Sequence, residues 1–226
     1  MGILRYTASA DNTIVNAFQP DLTTRGTGAN AGASDVLETF SIYGRVSTAS
    51  QELSRILIKF PVSSISADRT AGTIPASGNV DFYLKLFNAK HSKTVPRDYV
   101  LRVAAIQSGW EEGVGLDLES YKDLNRGNIG SDWVQNTSTT SWRSAGGDYI
   151  EDSEYAWDAS FPNGLEDMEL KITHLVEKWI DGTQTNYGVG IRMSSSYEAS
   201  ASAAFLDFSG TGGGTGGGDG TAPLTD

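Results

Sequence analysis

The chain has 226 residues, no cysteine and a formal net charge of −11, from 28 acidic and 17 basic side chains. Without cysteine it has neither a disulfide framework nor a thiolate metal site, and without clustered Lys and Arg it lacks the phosphate-binding surface of a nucleic-acid-binding protein. Its length is sufficient to bury a substantial core without covalent staples.

The first residues lack the usual targeting patterns. Residues 1–7 have no basic leader followed by a long apolar stretch, as a secretory signal would. No apolar run approaches the roughly 20 residues that cross a bilayer. We therefore expect no membrane contact and no export route encoded in this segment.

Short alternating runs between turn residues predict an all-β fold. Four runs alternate with a period of two, as strands with one buried face do: residues 53–60, 80–87, 99–105 and 189–193. Two weaker candidates are residues 13–15 and 36–43. The pattern assigns these side chains to the core: Ile56, Ile58, Phe60, Phe82, Leu84, Val103 and Ile191.

One segment predicts a helix. After a strand-like alternation through Ile172, apolar side chains fall at helical spacing at Leu175, Val176, Trp179 and Ile180. Thr173 is placed as the N-cap and Gly182 as the stop. A large aromatic residue in such a stripe normally belongs to the core, so we expect Trp179 to anchor the helix across one end of a sandwich.

Residues 107–169 differ in character from the rest. They hold four of the five tryptophans and fourteen acidic residues against three basic ones, and the alternation is lost. Tryptophan at this density predicts a long, ordered loop excursion instead of a linker. In contrast, residues 210–220 are eight glycines, two threonines and one aspartate. We expect a β-sandwich domain over residues 1–209 and a flexible tail over residues 210–226.

Four stretches, in order, resemble one known family. They are residues 54–65 (SRILIKFPVSSI), 110–113 (WEEG), 141–149 (SWRSAGGDY) and 172–179 (ITHLVEKW), the last followed by Gly182 and Asn186-Tyr187-Gly188. They are similar to motifs of the DNRLRE (disaggregatase-related) domains, in their phage virion-protein variant. Pro61 stands where that family usually has Asp. The family's closing strand is also not matched: residues 203–208 run straight into glycine, so either this strand is shortened or a partner supplies it.

Together, the pattern and the resemblance imply an all-β, two-sheet antiparallel jelly-roll-like sandwich. It has one short helix and long acidic, Trp-rich loops. We expect the residues shared with the family motifs to have structural roles: Arg55, Glu111, Trp110, Trp142, Trp179 and Tyr187. A half-buried Arg55 needs an acidic partner, and Glu111 is the natural candidate.

Candidate chemistry is sparse in this sequence. His91 and His174 lie far apart and outside any motif, and adjacent Glu111 and Glu112 point to opposite faces of a strand. Two acidic sets, Asp117/Glu119/Asp123 and Asp148/Glu151/Asp152, lack the spacing of a calcium loop. We expect no enzyme activity, no cofactor and no metal.

Aromatic residues beside carboxylates and amides favour binding instead. The candidate contacts for a glycan or a partner are Trp133, Trp157 and Tyr149. The alternative is that these rings are structural and pack the loops against the sandwich. The first hypothesis is a structural protein of a phage virion, assembled in the host cytoplasm with other virion proteins and as a symmetric homo-oligomer. The second is a carbohydrate-binding or adhesive module of an extracellular or cell-surface protein.

Overall fold

The structure, a computed structural model, describes residues 2–19, 21, 23–43, 51–90, 96–116 and 129–198. Antiparallel strands predominate in this part of the chain, and short helices join them. The strands are β1 (Ala10–Asn16), β2 (Ser41–Tyr43), β3 (Gln51–Lys59), β4 (Tyr83–Leu86), β5 (Tyr99–Ile106), β6 (Tyr149–Ile150), β7 (Ala156–Phe161), β8 (Met168–Lys171) and β9 (Val189–Met193). The helices are α1 (Val62–Thr70) and α2 (Thr173–Asp181). The prediction of a mostly β, antiparallel protein is confirmed.

The main sheet runs in the order β1-β3-β9-β5, and β5 pairs on its far side with both β6 and β7. Leu53 of β3 pairs with Asn16 of β1 and with Ser41 of β2, so β1 and β2 lie on opposite sides of β3. Strands β4 and β8 form a separate two-stranded sheet. Within the described residues, β1 and β7 are therefore at opposite edges of the main sheet.

The principal core lies between one face of the main sheet and the layer formed by the small sheet and the helices. Alternation puts Ile56, Ile58, Val103 and Ile191 on this face, and all four are buried. Leu84 of β4 and Trp179 of α2 close the core from the other layer and are also buried. These six predicted core residues are confirmed, while Phe60 and Phe82 are half-buried and pack at its margin.

A second apolar cluster covers the other face of the main sheet. Leu57, Ile14 and Ile106 point to this face and meet the indoles of Trp133 and Trp142. Both tryptophans come from the loop region that follows β5 along the chain. The sheet is thus buried on both faces where β1, β3 and β5 carry these residues.

Helix α2 follows the prediction except at its start. Leu175, Val176 and Trp179 are its buried side chains, and Gly182 ends it in the left-handed conformation with φ of 77°. The N-cap is Ile172 rather than Thr173. The Thr173 hydroxyl oxygen instead accepts the backbone N–H of Phe82 at 2.8 Å, which joins α2 to the residues before β4.

The expectation of a single helix is wrong, because α1 follows β3 directly. The alternating run over residues 53–60 predicts a strand, and this strand ends at Lys59; Pro61 then occupies the N-cap of α1, so the last residues of the 54–65 motif are helical. Its only buried residue is Ile65, so α1 has almost no apolar stripe that a sequence pattern could reveal. Arg69 joins it to α2 through two hydrogen bonds to the Glu177 carboxylate, at 2.7 and 3.1 Å.

The loop excursion over residues 107–169 is also shorter than predicted. Strands β6 and β7 interrupt it, and β7 pairs with β5 along six residues. The predicted strand 36–43 is reduced to the three residues of β2. The tail 210–226, the segment 203–208 and the acidic residues Asp117, Glu119 and Asp123 lie outside the described residues. In the part that the structure describes, no helix is long and apolar enough to cross a membrane.

Candidate functional site

The outer edge of β7 is the most distinctive feature of the main sheet. Ala105 N–H donates to the carbonyl of Tyr155 at 2.9 Å, which fixes the hydrogen-bond alternation between β5 and the strand that follows Tyr155. By that alternation, Ala156, Asp158 and Ser160 turn their backbone N–H and C=O groups away from β5. No backbone hydrogen bond joins these groups to any other described residue. Among the described residues, the strand therefore presents an unpaired edge.

A groove opens beside this edge, between β7, β8 and the start of α2. It has a volume of about 360 Å³, and its lining residues are Ser153, Glu154, Trp157, Lys171, Thr173 and His174. Trp157 belongs to β7, opposite Val103, and its half-buried ring packs against the principal core. The groove thus combines one aromatic wall with hydroxyl and charged groups.

The ionisable groups of the groove have exposed side chains and form pairs at the protein surface. His174 Nε2 is 3.6 Å from the Glu154 carboxylate, and the His174 ring lies 5.6 Å from the ring of Tyr155. Lys171 Nζ is 2.7 Å from the Asp81 carboxylate. Such groups can reorient toward a polar ligand or a polypeptide segment at small cost, because exposed ion pairs contribute little.

Three arginines lie side by side on the opposite face of the main sheet. Arg102 of β5 pairs in register with Arg192 of β9, and Arg55 of β3 follows on the next strand. Glu151 binds both Arg102 and Arg192, at 3.1 and 2.8 Å. The ring of Tyr149 lies 4.9 Å from the Arg192 guanidinium and 5.7 Å from that of Arg55. The charges on this face are therefore engaged with each other.

The predicted pairing of Arg55 with Glu111 is wrong. Arg55 instead binds the carboxylate of Glu198 at 3.0 Å and donates to the carbonyl of Gly146 at 2.8 Å. Glu111 is exposed and accepts the backbone N–H of Ser138. The corner that carries Glu111 is fixed elsewhere, since the indole N–H of Trp110 donates to the Tyr187 carbonyl at 2.7 Å.

The three predicted contact residues do not form one site. Trp133 is only 6% exposed and lies 4.9 Å under the Arg55 guanidinium, so its ring is closed to a sugar. The Tyr149 hydroxyl donates to the Gly146 carbonyl at 2.7 Å, and burial raises the pKa of this phenol. Trp157 points to the other face of the sheet and borders the open groove. The candidate site therefore reduces to Trp157 and the β7 edge.

The other residues that were predicted to have structural roles make hydrogen bonds or packing contacts. The indole N–H of Trp142 donates to the Asp132 carbonyl at 2.9 Å, and Tyr187 packs against the second apolar cluster. Asp148, from the second acidic set, accepts the hydroxyl of Ser108 and the backbone N–H groups of Arg143 and Ser144. In the described part of the chain, no three His, Asp or Glu side chains are grouped as metal ligands.

Comparisons with protein-family models, with curated proteins and with solved structures find no match to this chain. The resemblance to the DNRLRE domains stays a prediction. The edge of β7 was missed in the sequence because it lies in the Trp-rich region. Its signal was present, since Trp157, Ala159 and Phe161 alternate with Asp158 and Ser160.

Proposed function

We propose that this chain is a non-enzymatic structural protein of a phage virion, a jelly-roll-like sandwich module that works by assembling with other protein chains. The outer edge of β7, which is unpaired in the part of the chain that the structure describes, is the observation that carries this function. An exposed edge offers a row of backbone donors and acceptors to which another strand can add. Natural sheets usually block such an edge, so an open one favours a partner.

The groove beside the edge supports the same function. Trp157 supplies a large aromatic surface next to the free backbone groups, and aromatic side chains are enriched at the centres of protein interfaces. A strand added to β7 would bury the exposed part of this ring. Backbone pairing would provide affinity, and the groove would provide specificity. Other virion proteins and further copies of this chain are the proposed partners.

Replacing Ser160 by Pro tests whether the β7 edge is needed for assembly in the source culture. Proline removes one outward-facing N–H and keeps the inner ladder to β5, a substitution that edge strands tolerate. Ser160→Ala is the matched control, because it keeps the N–H. Mass spectrometry of purified particles and of secreted fractions from the source culture should find the native chain and Ser160→Ala in particles. Ser160→Pro should be depleted from them. Recovery of the native chain only in secreted fractions would contradict the virion assignment.

A carbohydrate-binding or adhesive module is the second candidate, and the composition of the groove favours it. An indole bordered by hydroxyl, carboxylate, ammonium and imidazole groups matches the need of a sugar for one apolar face and several polar partners. A glycan array with the native chain and with Trp157→Ala separates the two candidates. A strictly monomeric chain that binds a defined oligosaccharide through Trp157 would reject the assembly function.

A further inference from the structure

Strand β7 lacks the features by which an edge strand usually resists pairing with another strand. Those features are lysine or proline within the strand, or a bulge that bends it. Strand β7 has the sequence AWDASF, which contains neither residue, and it pairs with β5 over six consecutive positions without a bulge. Its outer edge, open within the described residues, therefore remains straight and unblocked.

The backbone groups on this edge are complementary to a second copy of the same strand. Asp158 and Ser160 each turn one N–H and one C=O outward, because the residues on either side of them bond to β5. A second β7 strand, rotated by 180°, offers the same donors and acceptors at the same two-residue spacing. The edge can consequently pair with itself around a two-fold axis.

The side chains on the outer face favour one register for this pair. Two registers align most of β7 with itself and keep the outward groups bonded, one centred on Asp158 and one on Ala159. The first places Asp158 directly opposite Asp158 of the second copy, and like charges at such positions destabilise a sheet. The second places Asp158 opposite Ser160 of the second copy and is therefore the register that we expect.

Asp158 does not lose its own partner in the register centred on Ala159. Its carboxylate accepts a hydrogen bond from Arg102 of the same chain at 3.1 Å. A carboxylate has room for several hydrogen bonds. Asp158 can thus keep the bond from Arg102 and also accept the hydroxyl of Ser160 from the second copy.

The face of β7 that points to the principal core fits the same register. Trp157 lies opposite Phe161 of the second copy, and aromatic residues in opposite positions stabilise antiparallel strands. Ala159 lies opposite its own symmetry mate, and its small side chain leaves space at the axis. Trp157 is half-buried and borders the groove, so this pairing covers the part of its ring that is exposed in a single copy.

We infer that β7 of one copy pairs with β7 of a second copy around a two-fold axis at Ala159, which joins two main sheets into one antiparallel sheet. The inference rests on the proposed assembly function and names a second copy as one of the partners. Because both copies use the same surface, pairing through this edge stops at a dimer.

The absence of native cysteine allows a direct test of this contact. Ala159→Cys places a thiol opposite its own symmetry mate, with Cα atoms about 4.5 Å apart, which is within the range of a disulfide. Ser160→Cys is the matched control, because its mate lies on the diagonal and out of that range. Ser77→Cys, on an exposed turn after α1, reports random collision.

Under mild oxidation by oxidised glutathione, the Ala159→Cys chain should form disulfide-linked dimers several times faster than either control. Equal rates for Ala159→Cys and Ser77→Cys would overturn the two-fold contact. Faster linking of Ser160→Cys than of Ala159→Cys would overturn the register.

Light scattering over a range of concentrations supplies a second test that requires no cysteine. Ser160→Glu places a carboxylate opposite Asp158 of the second copy, and the axis repeats this pair. The dissociation constant of the dimer should rise roughly tenfold relative to the neutral control Ser160→Gln. Addition of Asp158→Asn to Ser160→Glu should restore most of the affinity. Equal dissociation constants for the Glu and Gln variants would overturn the register.

The two tests also separate this inference from the proposed function. Self-association that Ser160→Pro abolishes, but that gives no Ala159→Cys link and no difference between Ser160→Glu and Ser160→Gln, would overturn the pairing of β7 with itself and leave the assembly function intact. A native chain that is monomeric at every concentration would overturn both.

Discussion

Arg55 connects parts of the chain that are distant in sequence. Its guanidinium joins β3 to Gly146 and to Glu198, and it covers the ring of Trp133. The side chains of Arg55 and Glu198 are only 14% and 15% exposed. Because both side chains are this buried, a charge left without its partner would destabilise the folded state.

Replacement of Glu198 should therefore destabilise the protein, while replacement of Glu111 should not. Glu198→Gln removes a charge-assisted pair, and we expect a loss of about 1–3 kcal/mol in the free energy of unfolding. Glu111→Gln changes an exposed side chain and should stay within about 0.5 kcal/mol. Urea denaturation of both variants provides the measurement. The reverse ranking would restore Glu111 as the partner of Arg55.

Asp132 gives a pH-dependent prediction. Burial raises the pKa of its carboxyl, although the N–H groups of Gln135 and Val134 donate to it and oppose the rise. The folded state thus disfavours the charged form, so this residue reduces stability as the pH rises above the unfolded pKa of about 3.9. Asp132→Asn keeps an acceptor oxygen for both bonds. It should melt higher than the native chain at pH 7, and this gap should close near pH 4. A lower melting temperature at pH 7 would contradict the assignment.

At the scale of the elements, regular alternation identified the strands with one buried face. The runs that contain β3, β5 and β9 were predicted because each buries one parity of its residues against the same core. Helix α1 and strand β7 were not predicted, for different reasons. Helix α1 buries only Ile65, so it has no pattern to detect. Strand β7 does alternate, but the acidic, Trp-rich sequence around it resembles a loop.

The candidate site was less predictable than the fold. Aromatic residues beside polar ones predict Trp157, Trp133 and Tyr149 as contacts, but this pattern does not indicate which ring is covered. Arg55 covers Trp133 only because Trp133 returns to β3 across the sheet, a contact between residues 78 positions apart. The β7 edge that is left open within the described residues depends on which strands pair with β5, and composition carries no information about that pairing.

The approach of β9 to β3 depends on glycine. Gly188 has a φ of 84°, and a Cβ atom there would lie 2.0 Å from the carbonyl oxygen of Ile58. Gly72 has a φ of 74° but open space around it. Gly72→Ala should cost about 1 kcal/mol from backbone strain alone. Gly188→Ala should cost several kcal/mol, because the backbone of β3 must also move. Thermal unfolding compares the two, and equal losses would show that the strands can separate freely here.

At the scale of the whole molecule, the principal core joins the main sheet to α2 through Trp179. This ring is 4% exposed, so Trp179→Ala should cost about 3–5 kcal/mol. Phe60 is half-buried, and Phe60→Ala should cost clearly less. Calorimetry of both variants checks the order. A larger loss for Phe60 would place the centre of the core at the end of β3 instead of under α2.

The proposed function requires that the chain assembles through the edge of β7 that is open within the described residues. Light scattering over a range of concentrations tests it most directly, with the native chain, Ser160→Pro and Ser160→Ala compared under the same conditions. We expect a native species and a Ser160→Ala species of the same mass, equal to a whole number of chains greater than one. Ser160→Pro should be monomeric and folded. A native chain that stays monomeric, or a Ser160→Pro variant that assembles as the native chain does, would contradict assembly through this edge.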